Sequence, residues 1–225
     1  MEMYYRVPTW FFGFDIGMEI LYACIAALIA YQAYKVYKIS EEQTIKHLTV
    51  AFGLISLSYI IWAGVNSFIF NTVANAVEGM CIGCLRDIAQ GGLYLYTGLF
   101  IAGLVSLVYA TLNIKKPGVY YLLLGLALTI MTISIQKFAT SRVVALFFIT
   151  YILYHYVGCY KNTHNPCTKT LIIAFTLLLI SSIDFLFSPR YYEAYVIGHI
   201  FELGAYATFW YALIQIKKHG KQKKN

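Results

Sequence analysis

Asp15 and Glu19 stand four residues apart, and His199 and Glu202 three apart, in stretches otherwise dominated by apolar residues. Both spacings place side chains on one face of an α-helix. Tyr22 continues the first face and Tyr206 the second, while Asp184, with Ser181 before it, lies in a third apolar stretch. Four carboxylates and one imidazole, brought together, open three chemistries. Glu19, His199 and Glu202 can ligate a divalent metal, because carboxylate and imidazole suit Zn, Mn or Fe. The group can bind a small cationic ligand. It can also exchange protons, since like charges at short range resist ionising together. The plain alternative is that these groups form hydrogen bonds that tie helices to one another.

The stretches carrying them read as transmembrane helices. Of 225 residues, 60% are hydrophobic and only 12% charged, with a mean hydropathy of +0.66. A soluble domain carries about 25% charged residues. Crossing a ~30 Å hydrocarbon core takes about 20 mostly apolar residues. Seven segments meet that length, at 10–38, 47–70, 92–114, 117–136, 142–160, 169–188 and 192–216. The expected fold is therefore all-α, a seven-transmembrane helix bundle forming one integral membrane domain in the cell membrane. Met1 to Pro8 lacks the pattern of a cleaved signal. A long connection, Asn71 to Gly91, separates the second and third segments, and the remaining connections are short. Pro117 and Pro189 suit first turns of helices, where no backbone donor is lost. No internal repeat is visible, so an inverted-repeat transporter is not suggested.

Orientation follows from the basic residues. Twelve of the 17 Lys and Arg fall on one side, including Lys35, Lys116, Lys161 and the tail from Lys217 to Lys224, against five on the other. The five are Arg6, Arg86, Lys137, Arg142 and Arg190. This places the N-terminus outside and the C-terminus in the cytoplasm. The net charge of +7 is an orientation and lipid signal, not a nucleic-acid footprint. Tyrosines near segment ends, such as Tyr37 and Tyr191, serve as interfacial anchors.

Ionisable groups at the centre of a span cost at least ~2.5–3.5 kcal/mol, so they face the bundle interior or a wet cavity. At a rise of ~1.5 Å per residue, Asp184 lies about 6 Å from the outer end, Asp15 about 8 Å, His199 about 10 Å, Glu19 about 13 Å and Glu202 about 15 Å. All five belong to the outer half, and only His155 is expected in the inner half. A conduit needs polar groups along its whole length. The asymmetry predicts instead a polar, acidic pocket open to the outside above an apolar seal. Glu19, His199 and Glu202 would form its core, with Asp15 and Asp184 at the mouth, near enough to water to snorkel, and Tyr22 and Tyr206 alongside.

Other motifs carry less. Cys81-Ile82-Gly83-Cys84 in the long connection is a C-x-x-C pair with redox or metal potential, but the second outer pair of a quinone-linked disulfide oxidase is missing. Cys159, His164 and Cys167 offer three soft ligands without an evident fourth. His155 and His199 lie about 12 Å apart along the membrane normal, too far to share one haem iron. No nucleophile elbow, phosphate-binding glycine loop or HExxH motif occurs.

Seven helices with an outside N-terminus and short loops resemble the microbial-rhodopsin and receptor-like topology. The resemblance implies a seven-helix receptor but not a retinal pigment: the only lysines of the last segment, Lys217 and Lys218, sit at its cytoplasmic end instead of its middle. The stretch Ile197-Gly198-His199-Ile200-Phe201-Glu202-Leu203, followed by Gly204 and Tyr206, also resembles the last helix of membrane modules at the front of prokaryotic sensor kinases. The leading expectation is a stand-alone sensor-like or receptor-like membrane protein. Its outward pocket would take a small ligand, proton or metal, and a cytoplasmic or membrane partner would read the response. A metal-dependent membrane enzyme using the same cluster is the second expectation. A small transporter is the third.

Overall fold

A computed structural model describes residues 11, 13–74, 82–112, 116–134 and 137–222. Among them lie seven α-helices and no strand: α1 (Phe14–Ser40), α2 (Gln43–Ala74), α3 (Ile82–Leu112), α4 (Pro117–Ile133), α5 (Lys137–Thr163), α6 (Pro166–Phe187) and α7 (Tyr192–Gln222). The all-α expectation holds. Five helices, α1, α2, α3, α5 and α6, are long and apolar enough to cross a membrane. α4 is apolar but has only 17 residues, about 25 Å of helix. α7 is long, and it carries the polar residues singled out above. Large apolar side chains cover the outer surface, among them Leu122, Ile133, Phe147 and Tyr154. Such a surface suits lipid.

Local chemistry accounts for the helix ends. Glu41 takes a left-handed conformation (φ 54°) and returns its backbone N–H to the Tyr37 carbonyl, closing α1. Pro117 opens α4, as expected. Pro189 does not open α7 but lies in the turn before it. The proline that does open a further helix is Pro166, where the Asn165 side chain accepts the Cys167 N–H at 2.9 Å. The largest departure is at α3. Gln90, Gly91 and Gly92 resemble a loop end, yet helix runs through them from Ile82, so residues 82–91 are not part of a long connection.

Packing explains the glycines. A Cβ on Gly92 would lie 2.5 Å from Val65 Cγ2, and one on Gly103 would lie 2.7 Å from Ile55 Cγ1 and 2.9 Å from the Ala51 carbonyl. Eleven residues are almost three whole helical turns, so both glycines face α2 and let the two helices approach closely.

The neighbours are α1–α2–α3–α5–α6–α7, and α7 returns to α1. This is a closed ring of six helices, with α4 outside it, packed against α3 and α5 and touching α2 at His47 through Tyr120. Tyr120 attaches α4 through its hydroxyl, 3.2 Å from Ser106, and through ring contacts with Tyr109 and His47. The half of the bundle expected to be dry except for His155 thus also holds His47, together with a Thr170–Gln215 hydrogen bond of 3.1 Å.

The α2–α3 approach makes a prediction. Gly103→Val should cost about 1–3 kcal/mol through overpacking, read as a lower unfolding midpoint in detergent. Gly98→Ala, where a Cβ meets no heavy atom within 4 Å, should leave the midpoint unchanged or raise it slightly.

Candidate functional site: a closed acidic cluster

α1 and α7 meet near the Gly13 end of α1, and there the sequence-predicted residues collect. Asp15 sits in the first turn of α1, where its Oδ1 accepts the backbone N–H groups of Gly13 (2.8 Å) and Ile16 (2.9 Å). Its Oδ2 accepts the Tyr195 hydroxyl of α7 at 3.3 Å. Asp15 is 1% exposed, so it does not snorkel to water from a pocket mouth. One turn further, Glu19 is equally buried and accepts the Asn66 Nδ2 of α2 at both oxygens, 3.0 and 3.2 Å.

Glu202 of α7 accepts a short hydrogen bond from the Tyr59 hydroxyl of α2. His199 Nδ1 lies 3.6 Å from Glu202 Oε2, beyond hydrogen-bond reach. Tyr22 donates to the His199 backbone carbonyl at 2.8 Å, joining α1 to α7. Tyr22 also stacks on Tyr206 with centroids 5.0 Å apart, and both rings meet Tyr59 edge-on. Tyr22 and Tyr206 therefore form the floor of the cluster and not its ligating wall.

Two elements contribute differently from expectation. α6 supplies Phe185, not Asp184. One residue is a rotation of about 100° on a helix, so the ring beside Asp184 faces the cluster. Asp184 Oδ2 is buried without a hydrogen bond among the described residues. From α5 comes Arg142, which sequence reasoning placed among the outer loop charges. Helix α5 begins at Lys137, so Arg142 lies more than a turn inside it and is buried. Its Nη2 donates to the Tyr96 hydroxyl at 3.2 Å, and its guanidinium lies 4.4 Å from the Phe185 ring centroid. It is within electrostatic reach of Glu202 and His199. Asn66, Tyr59, Tyr96 and Tyr195 were likewise missed. Asn66 carried a signal, as an amide inside a span at the depth of the acids; the tyrosines were indistinguishable from many others.

Glu19, Tyr59, Trp62, Tyr96, Arg142, Phe185, Tyr195, His199 and Glu202 enclose a void of ≈ 10 Å³. That is about the room one water molecule needs. Phe11, Phe185 and Tyr195 pack together over His199, with ring centroids between 4.6 and 5.8 Å from the imidazole. The site is closed, where the sequence suggested an open pocket. Burial away from water is costly for a carboxylate, and the donors around these groups offset that cost.

The metal expectation for Glu19, His199 and Glu202 gains nothing from this geometry. Among the described residues no three His, Cys, Asp or Glu side chains are placed to hold a metal ion. The same holds for Cys159, His164 and Cys167; Cys159 instead contacts His155 Nε2 at 3.5 Å. Cys84 is exposed on the first turn of α3, and Cys81 lies outside the described residues. No protein-family model, curated protein or solved structure matches the chain. The likeness to rhodopsins and sensor modules stays one of helix number and pattern.

Asn66→Leu removes the donor that satisfies Glu19. It should lower stability by about 1–3 kcal/mol, the cost of leaving a buried polar group unmet. Adding Glu19→Gln to that variant should recover part of the loss, because no buried carboxyl group then lacks its donor. Unfolding midpoints in detergent micelles check both.

Proposed function

We propose that the chain is a sensor-like or receptor-like membrane protein. Its stimulus is the arrival or loss of a proton or a very small cation in the closed acidic cluster. The single observation that carries this reading is the charge imbalance of the buried site. Glu19 of α1 and Glu202 of α7 line one void together with Arg142, and Asp15 is buried one turn from Glu19. A void of ≈ 10 Å³ admits a proton, a water or a small ion, and it is too small for an organic substrate.

The site also joins helices. Tyr59–Glu202 links α2 to α7, Asn66–Glu19 links α2 to α1, and Tyr22 with Tyr195 links α1 to α7. A change of charge at Glu19 or Glu202 therefore alters the packing of α7 against its neighbours. A ligand shifts a conformational equilibrium only by its differential affinity for the two states. Here that difference comes from donors that satisfy an ionised carboxylate and a neutral one unequally. In this reading the N-terminus is outside, the C-terminus is cytoplasmic, and a partner at the cytoplasmic ends of α6 and α7 reads the shift.

Trp62 lines the void and stacks on Tyr96 at 5.4 Å, so its fluorescence reports on the cluster directly. With Trp10 and Trp210 replaced by Phe, Trp62 emission in nanodiscs should change with pH in one sigmoidal step. The step should disappear in Glu19→Gln/Glu202→Gln. Emission that is flat with pH, or a step that survives the double variant, would refute the sensing role. Orientation has its own check. A C-terminal fluorescent-protein fusion should glow and a C-terminal alkaline phosphatase fusion should stay inactive, and the reverse pattern would invert the topology.

A further inference from the structure

His199 is 5% exposed, yet neither ring nitrogen has a hydrogen-bond partner among the described residues. A neutral imidazole has one nitrogen that donates and one that accepts. Leaving both unmet in a buried site is costly. The ring faces the void of ≈ 10 Å³ that Glu19, Glu202 and Arg142 also line. A polar void of that size, with several polar groups around it, takes one water-sized particle.

Four properties of the walls narrow the particle. Size excludes anything beyond one heavy atom and its hydrogens. Charge favours a cation, because the Glu19 and Glu202 carboxyl groups line the void with one guanidinium, and Asp15 is buried one turn from Glu19. Hydrogen bonding favours a species that donates in several directions, since Glu19, Glu202 and the accepting nitrogen of His199 all present lone pairs. The remaining walls carry the rings of Tyr59, Trp62, Tyr96, Phe185 and Tyr195, whose π faces attract a cation.

We propose that this void, between His199, Glu19 and Glu202, is a binding site for a water-sized, hydrogen-bond-donating monovalent cation, of which ammonium is the species that fits. Ammonium has the radius of water, four donors and no lone pair. Bound there, it gives His199 a donor, bridges the carboxylates of α1 and α7, and reduces the negative excess of the cluster. Arg142, which lines the same void, stays held by Tyr96 and Phe185. The inference rests on the cluster being the sensing site and names the stimulus that the site takes.

The test uses the full chain in nanodiscs of zwitterionic lipid, at fixed pH and ionic strength. Ammonium chloride is titrated against sodium, potassium and tetramethylammonium chlorides while the thermal midpoint and Trp62 emission are followed. Ammonium should raise the midpoint by several degrees in a saturable manner, as a ligand of the native state must. The other three cations should not. Glu202→Gln should weaken the apparent affinity by about tenfold or more. His199→Gln should do the same, and it serves as the second variant if Glu202→Gln does not fold. Equal shifts with all four salts, no shift with any, or a shift that both variants keep would overturn the proposal, leaving an ordered water as the occupant. A pH response of Trp62 without an ammonium response sinks the ammonium site and leaves the sensing reading standing. Absence of both sinks the two together.

Discussion

The hydrogen bond from Tyr59 to Glu202 is the contact on which the arrangement of helices depends. A carboxylate in the middle of a lipid-facing bundle has no water to solvate it, and uncompensated burial costs several kcal/mol. The structure answers this constraint by taking the donors from other helices. Glu202 of α7 and Glu19 of α1 both draw on α2, and Asp15 of α1 draws on α7. Three helices are thereby held at distances set by polar side chains, in a setting where apolar surface alone selects no partner: lipid tails are as apolar as leucine.

Aromatic rings carry this order away from the cluster. Tyr22, Tyr206 and Tyr59 form a layer beneath the acids, and Phe209 extends it to Phe52 and Phe175. Tyr156 stacks on Phe175, and His155 follows Tyr156. Ring after ring thus separates the acidic end from the half of the bundle that holds His155 and Cys159. A rigid layer of this kind keeps the two ends chemically distinct. It also gives a displacement of α7 a packed path along which to be felt.

Much of this was legible in the residues. Long apolar runs locate all seven helices, because a membrane span needs length before it needs anything else. The i, i+4 and i, i+3 spacings put Asp15 with Glu19, and His199 with Glu202, on one face of a helix. What escaped has physical causes. Arg142 looked like an interface cation because basic residues near span ends usually snorkel; only the start of α5 at Lys137 reveals that it lies inside the bundle. Asp184 and Phe185 differ by one helical step, which hydropathy does not resolve. Gly91 was read as the end of a connection, but glycine in a membrane helix also marks close approach, as Gly92 does against Val65. The exclusion of α4 from the ring left no local trace, since a short apolar helix reads the same inside a ring or beside one.

The most direct measurement is a double-mutant cycle on Tyr59→Phe and Glu202→Gln, read as unfolding free energy in bicelles. If the tie between α2 and α7 organises the site, the two single losses will not add, and the coupling will be about 1 kcal/mol or more. Losses that simply add would show that Tyr59 and Glu202 act independently, and the account of a carboxylate-centred bundle would not stand.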